Sequence, residues 1–472
     1  MAEYSLFSKI TPYLDKHLLF PLLENMTNNP NYDQKVLNDV KLRLLQSTFM
    51  VDYAIELYNN PNDVPQELLE KRRTVLEILA EAVSAAEPIN QIISLPEAVA
   101  LISREREYTV LYQNLKIEFN FDPTMLEHLY KVARLRFECG DYLYAANKLD
   151  AYLSLITMNH PNFKTALWGK LASDILNQFW EHALNEFKQL KETIDNKVYK
   201  NEVESLQERT WLLHWSLFIY FNHPDGKEHL IDLFLYQIPY LNIIQTVCPH
   251  LLRYLTAAVI TSKRKKQALK DLIKIFKQEY YAHNDPLIEF MVSLFVDCDF
   301  EKAKKKMLEC AILLESDFFL CNHKDECMEA IRQMTFEKYT KIHQCLSLSV
   351  VAEKLNMNVA EAEKWIGNLV ATTRVDVKIE YSKGHVLMNT QVIPPYQKII
   401  DKAKTLSYHT QNMASLIENR ALSNIANPPM NDSSSAMVLG GATAPSSGFS
   451  KNNVILSCLF FNANRRYVGV GM

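Results

Sequence analysis

The chain of 472 residues carries 51 basic and 55 acidic side chains, a formal charge of -4, so no long-range field draws it as a whole onto nucleic acid or an anionic membrane. Five of its ten glycines lie beyond residue 430, and Gly140, Gly169, Gly226, Gly367 and Gly384 are too sparse to build the phosphate loops of nucleotide-binding α/β folds, so the body is expected to be almost all helical. Eight scattered cysteines make no dense disulfide framework and fit a reducing compartment, and no apolar run approaches the roughly 18 residues of a membrane span.

The N-terminus carries Glu3, Asp15 and Pro21 among its apolar residues, which reads as a helical segment over residues 1–30 rather than a signal peptide. Thr11-Pro12 predicts a capped helix start followed by Leu14, Leu18 and Leu22 on one side, and Asp122-Pro123 and Asp285-Pro286 repeat that grammar. Between these starts one pattern recurs: an aromatic, alanine three residues on, and a large apolar residue four beyond. It reads Tyr142, Ala145, Leu149; Trp180, Ala183, Phe187; and Phe300, Ala303, Met307, with Phe137, Ile175 and Phe295 five residues upstream. A small alanine lets one helix of a hairpin approach its neighbour closely, and the spacing of about 38 residues between the first two copies is that of helical solenoids. Residues 30–315 are therefore read as a tetratricopeptide/HEAT-like helical-repeat arm; an irregular helical domain with coincident spacing is the alternative. Arg209 to Phe221 is apolar nearly all round and predicts a central helix stopped by Asn222 to Gly226.

The pattern changes after residue 335. A helix through Phe336, Tyr339 and Ile342, an extended Leu346 to Ser349, a turn of helix over Val351 to Leu355, and a helix capped by Asn358 with Glu361 follow in order. The period-two run Val375 to Ile379, a turn at Ser382 to Gly384 and a returning strand His385 to Met388 complete a winged helix over about 335–390, within a unit spanning 316–392. Over residues 394–422, Tyr396, Ile399, Ala403, Leu406, Thr410, Met413 and Ile417 alternate spacings of three and four. That seam is a docking surface for partner helices unless it folds back on the winged helix. Residues 425–472 hold Pro428-Pro429, Ser433-Ser434-Ser435 and Gly440-Gly441, and read as a disordered tail.

Motifs for catalysis are missing: the sequence has no HExxH, GxGxxG, GxSxG or GK[ST] loop, so no catalytic, cofactor or metal residue is assigned. Cys321, His323 and Cys327 with Cys310 nearby have the wrong spacing for zinc and read as structural cysteines. The basic run Lys263, Arg264, Lys265 and Lys266, with Lys383 on the wing, would be an RNA contact or, more plainly, a solvated face balanced by Asp271 and Glu279.

Several segments carry a resemblance. Phe20-Pro21-Leu22-Leu23-Glu24, Met50 to Ala54, Leu167 to Ser173, Trp211 to Pro224, Pro249 to Leu255 and Glu361 to Ile366 are similar to the e-subunit family of eukaryotic translation initiation factor three, over roughly residues 1–422. That resemblance implies a PCI protein: a right-handed helical solenoid joined to a winged helix and a C-terminal helix, non-catalytic and without cofactor. It implies other PCI and MPN subunits, the small ribosomal subunit and the cap-complex scaffold protein as partners, with mRNA or rRNA contact and neither membrane nor small-molecule substrate. It implies a cytoplasmic protein that also enters nuclei. Val375, Val377, Ile379, Val386 and Met388 would then supply an edge in an arc of winged helices, and the seam from Tyr396 to Ile417 would enter a helical bundle. A PCI scaffold of the proteasome lid or signalosome, and an RNA-binding adaptor, are the rival expectations. The tail after about residue 425 departs from the family pattern.

Overall fold

The computed structural model describes residues 4–28, 32–58, 65–104, 108–199, 201–262, 266–279, 285–343, 345–373, 377–380, 385–388 and 395–426. It divides into two compact units, residues 1–390 and 391–472.

The first unit begins with α1 (Phe7–Ile10), α2 (Leu19–Asn28), α3 (Gln34–Gln46), α4 (Val51–Glu56), the long α5 (Gln66–Ser94), α6 (Pro96–Arg104) and α7 (Tyr108–Phe119). Thr11-Pro12 does not start a helix as the sequence suggested. Thr11 donates its hydroxyl to the Phe7 carbonyl at 2.6 Å, so its oxygen closes the preceding turn, and Thr11–Tyr13 forms a single 3₁₀ turn. Leu6, Ile10, Leu18 and Leu22 of this N-terminal stretch are buried in the same core as the helices that follow.

Those are α8 (Thr124–Glu138), α9 (Tyr142–Leu155), α10 (Phe163–Leu176), α11 (Trp180–Asn196), α12 (Glu202–Asn222), α13 (Gly226–Tyr236), α14 (Ile238–Thr246), α15 (Leu252–Thr261), α16 (Lys266–Glu279), α17 (Pro286–Val292), α18 (Phe300–Ser316) and α19 (Lys324–Ile342). Asp285 caps α17 as expected, its Oδ1 accepting from Leu287 N at 3.1 Å with Pro286 next to it. Asp122 does not cap α8 with its side chain; its carbonyl takes the Met125 N–H instead.

Each aromatic–alanine–apolar triad opens a helix: Tyr142 begins α9, Trp180 begins α11 and Phe300 begins α18. Ala145, Ala183 and Ala303 are completely buried, and Leu149, Phe187 and Met307 lie in the core beside them. Two residues before each aromatic the backbone turns left-handed, at Gly140 (φ 96°), Gln178 (φ 62°) and Cys298 (φ 56°). In the first two copies that residue's N–H donates to the upstream apolar carbonyl, Gly140 to Phe137 at 3.0 Å and Gln178 to Ile175 at 3.1 Å. The next N–H reaches back to the carbonyl one residue earlier, Asp141 to Arg136 and Phe179 to Asp174, both at 2.9 Å, which closes the helix end in a Schellman turn. The third copy inserts a π turn over Ser293–Asp297, so Asp299 N reaches Ser293 O at 2.9 Å. The recurring spacing thus records a helix end, a left-handed residue and a new helix start.

Helix α12 is buried on every side from Leu212 to Phe221, with Trp215 edge-on to Trp168 at 4.6 Å. A Cβ on Gly226 would overlap the Tyr220 carbonyl, so only glycine fits where the chain doubles back into α13. Among the described residues no single helix is long and apolar enough to cross a membrane.

After α19 come β1 (Cys345–Ser347), α20 (Leu348–Lys354), α21 (Val359–Thr373), β2 (Val377–Glu380) and β3 (His385–Met388). The strands form an antiparallel sheet in the order β1-β3-β2. Its core holds Phe336, Leu346, Leu348, Val351, Ile366 and Val386. Helix α19 serves two cores, sending Cys327 and Ile331 into the helical body and Phe336 into this smaller module. Lys304 to Glu353 at 3.0 Å and Trp365 Nε1 to Glu329 at 2.6 Å fasten the module to the body. Asn358 N donates to Glu361 Oε2 at 3.5 Å, the returning half of the predicted capping pair. The second unit is described as one helix, α22 (Pro395–Ala426).

Candidate protein-interaction site

Helix α22 starts with Pro395 in the position where a missing N–H costs nothing and runs without a further proline or glycine to Ala426. Among the described residues its seam is exposed: Tyr396 is 78% exposed, Leu406 65% and Ile417 69%, and Ile399, Ala403, Thr410 and Met413 between them are exposed as well. Leu416, beside Ile417, is also exposed and widens the stripe. Burying a single leucine or isoleucine from water is worth about 1.5–3 kcal/mol, so a stripe of this kind is a store of binding free energy. Thr410 donates its hydroxyl to the Leu406 carbonyl at 2.9 Å.

In the sheet, register sets Val377 opposite Met388 and Ile379 opposite Val386. β3 is the central strand, so the edges are β1 and β2. Val386 is fully buried and packs with Leu346 and Ile366. It fills the module's own core instead of standing on an edge, which corrects its placement at an interface. Val375 lies outside the described residues.

The basic residues do not assemble into a described patch. Lys263, Arg264, Lys265 and Lys383 lie outside the described residues, and Lys266 begins α16. On α18, Lys306 bridges Glu289 at 2.9 Å and Glu309 at 2.7 Å, and Lys302 faces Asp297 at 4.0 Å.

Cys310 and Cys327 are buried and Cys321 partly so, while His323 Nε2 lies 2.8 Å from the Phe221 carbonyl. Burial pushes the Cys327 thiol up to about 12. No metal cluster forms there among the described residues. A different group converges: His214 on α12, with Cys248 and His250 in the turn before α15, all with ligating atoms within 4.8 Å of one another. Burial lowers His214 to about 4, opposed by its bond to the Thr210 carbonyl, and raises Cys248 to about 11. Sequence spacing did not disclose this group, because 36 residues separate the two histidines; the short Cys-Pro-His run at 248–250 was its local signal.

The chain matches the family described as eIF3 subunit 6 N terminal domain over residues 5–136 and the PCI domain over residues 302–390. The PCI match contains all but the first two residues of α18, α19 and the β1-β3-β2 sheet. The chain is 40% identical over 427 residues to the E subunit of eukaryotic translation initiation factor 3 from Bombyx mori, covering 89% of this chain and 96% of that protein. It is 38% identical over 424 residues to the E subunits of the same factor from Drosophila ananassae and Drosophila melanogaster, covering 89% of this chain and 97% of each. With both family regions present and nearly the whole length of these relatives spanned, the chain belongs to the PCI-domain family of eukaryotic translation initiation factor 3 E subunits, a family of non-catalytic scaffold proteins.

Proposed function

We propose that the chain performs its scaffolding through two separate grips, the edge of the sheet module and the seam of α22, carried on a helical arm. The order α19, β1, α20, α21, β2, β3 supports reading the module as a winged helix, and the repeated Schellman-turn hairpins support reading the arm as a right-handed helical solenoid. Two linked contacts raise the effective concentration of each other, so an assembly held this way stays together without either contact being tight alone. The partners proposed are other PCI and MPN subunits of initiation factor 3, with the small ribosomal subunit and the cap-complex scaffold protein reached through the assembly. Its output is assembly of the pre-initiation complex and recruitment of mRNA, and the protein itself resides in the cytoplasm and also enters nuclei.

The observation that carries this reading is the exposed apolar seam of α22. Replacing Leu406 and Met413 together by aspartate in the full chain, then recovering the complex from cells, tests it. The variant should keep its helical circular dichroism and fall out of the complex. Retention of the variant at the wild-type level would remove α22 from the account.

A further inference from the structure

His214 Nδ1 lies 2.7 Å from the Thr210 carbonyl, so that nitrogen carries the proton and Nε2 presents its lone pair. Nε2 of His250 stands 2.9 Å from Nε2 of His214. In the absence of an ion one proton between the two rings satisfies both, and a plain hydrogen-bonded pair would explain the imidazoles. The Cys248 sulfur, itself in hydrogen-bonding contact with the Tyr13 and Thr210 side chains, converges on the same point from the neighbouring turn.

We propose that His214, Cys248 and His250 form a binding site for one zinc ion, which staples the turn before α15 to α12 beneath the ring of Tyr13. Two imidazoles and a thiolate are a donor set that zinc takes, at about 2.0–2.1 Å to nitrogen and 2.3 Å to sulfur, and ligand atoms within 4.8 Å of one another can close on such an ion with small side-chain adjustments. The outer shell is already in place. A metal-bound histidine usually donates its second ring N–H to a carbonyl, and His214 does so to Thr210. Tyr13 stacks on His214 at 4.4 Å and lies 6.3 Å from His250, and its carbonyl accepts from Trp215 Nε1 at 3.3 Å. The N-terminal turn therefore covers the cluster as a lid of aromatic carbon. His214 and Cys248 are completely buried and His250 is half-buried, and a water would complete the four ligands that zinc takes.

On binding, the Cys248 thiol gives its proton to solvent and its sulfur takes the ion. The proton held between the rings passes to Nδ1 of His250, so that both Nε2 atoms become ligands and one proton is released per ion.

The test uses the full-length chain purified without a polyhistidine tag, loaded with zinc and desalted, with bound zinc counted by mass spectrometry of the element. Cobalt(II) serves as the spectroscopic probe. About one equivalent of zinc per chain should remain, and cobalt should show a thiolate charge-transfer band in the near ultraviolet. Cys248→Ser should abolish that band and His250→Gln should strip the zinc, whereas Cys321→Ser should change neither. Wild-type chain that carries no zinc after loading, a cobalt spectrum without the thiolate band, or undiminished zinc in folded Cys248→Ser overturns the proposal. Because the wild-type measurement decides by itself, failure of a variant to fold does not protect the idea.

Discussion

Arg253 Nε stands 2.5 Å from Oδ2 of Asp285, and the carboxylate it holds is the cap of the next helix but one, α17. Asp285 thus divides its two oxygens, one on a buried guanidinium and one on the Leu287 N–H. The same guanidinium reaches Asp317 at 3.2 Å, and the Tyr254 hydroxyl donates to that second carboxylate at 3.1 Å. Burial drives the Asp317 carboxyl upward in pKa while Arg253 opposes it. All of these side chains are buried, so removing the cation would leave two carboxylates without their counter-charge. Arg253→Met should therefore cost about 3–5 kcal/mol, read as a lower midpoint in urea denaturation of the full chain. A loss within the range of a surface substitution would mean that the network is not closed.

The turns ahead of the repeated aromatics predict substitutions of opposite sign. Gly140 occupies the left-handed region at φ 96°, and a Cβ there would come within 3.1 Å of the Met50 methyl. Gly140→Ala should destabilise by about 1–2 kcal/mol. Gln178 holds the equivalent turn at φ 62° with a side chain that disfavours it, so Gln178→Gly should stabilise by about 0.5–1 kcal/mol. Denaturation midpoints of the two variants moving the same way would contradict the equivalence of the turns.

These turns also mark what could be read in the sequence. The helix starts at Tyr142, Trp180 and Phe300 were legible because close approach demands a small residue at a fixed distance from large ones. The α22 helix and the hairpin strands of the small module were legible through their periods. The left-handed turns at Gln178 and Cys298 were not, since tertiary packing holds there what glycine does at residue 140. Thr11-Pro12 misled because its hydroxyl had a nearer carbonyl at Phe7. The Arg253 network and the His214–Cys248–His250 group join residues 32 to 64 and 36 positions apart, and no local pattern encodes such a meeting. Alternation reveals a strand but not its place in the sheet, and Val386, assigned to an edge by the family resemblance, lies in the module's core.

Asp174 carries a pH signature. It is buried beside Lys170 and Glu186, and its Oδ2 has no hydrogen-bond partner. Burial raises its carboxyl to about 6, with the Lys170 charge pulling the other way. Since an unfolded aspartate titrates near about 3.9, the folded state holds this proton more tightly, and stability from this group is full below about pH 4 and lost as pH rises towards 6. Asp174→Asn should flatten that slope and add about 1–2 kcal/mol at pH 7. Parallel stability curves for the two proteins from pH 4 to 6 would refute the assignment.

Three of the four lysines of α18 are already engaged, Lys304 with Glu353 at 3.0 Å, Lys306 with Glu289 and Glu309, and Lys302 with Asp297 at 4.0 Å, while Lys305 is exposed. A lysine paired to a carboxylate must lose that partner before it can neutralise a phosphate, which removes most of the gain from releasing a counterion. The isolated chain should therefore retain single-stranded RNA weakly in filter binding, with a salt slope equivalent to less than about two phosphates. Replacing Lys302, Lys304 and Lys306 together by alanine should leave that retention unchanged. A slope equivalent to about four phosphates or more, lost in the triple variant, would instead establish α18 as an RNA-binding face and return the RNA-adaptor reading to first place.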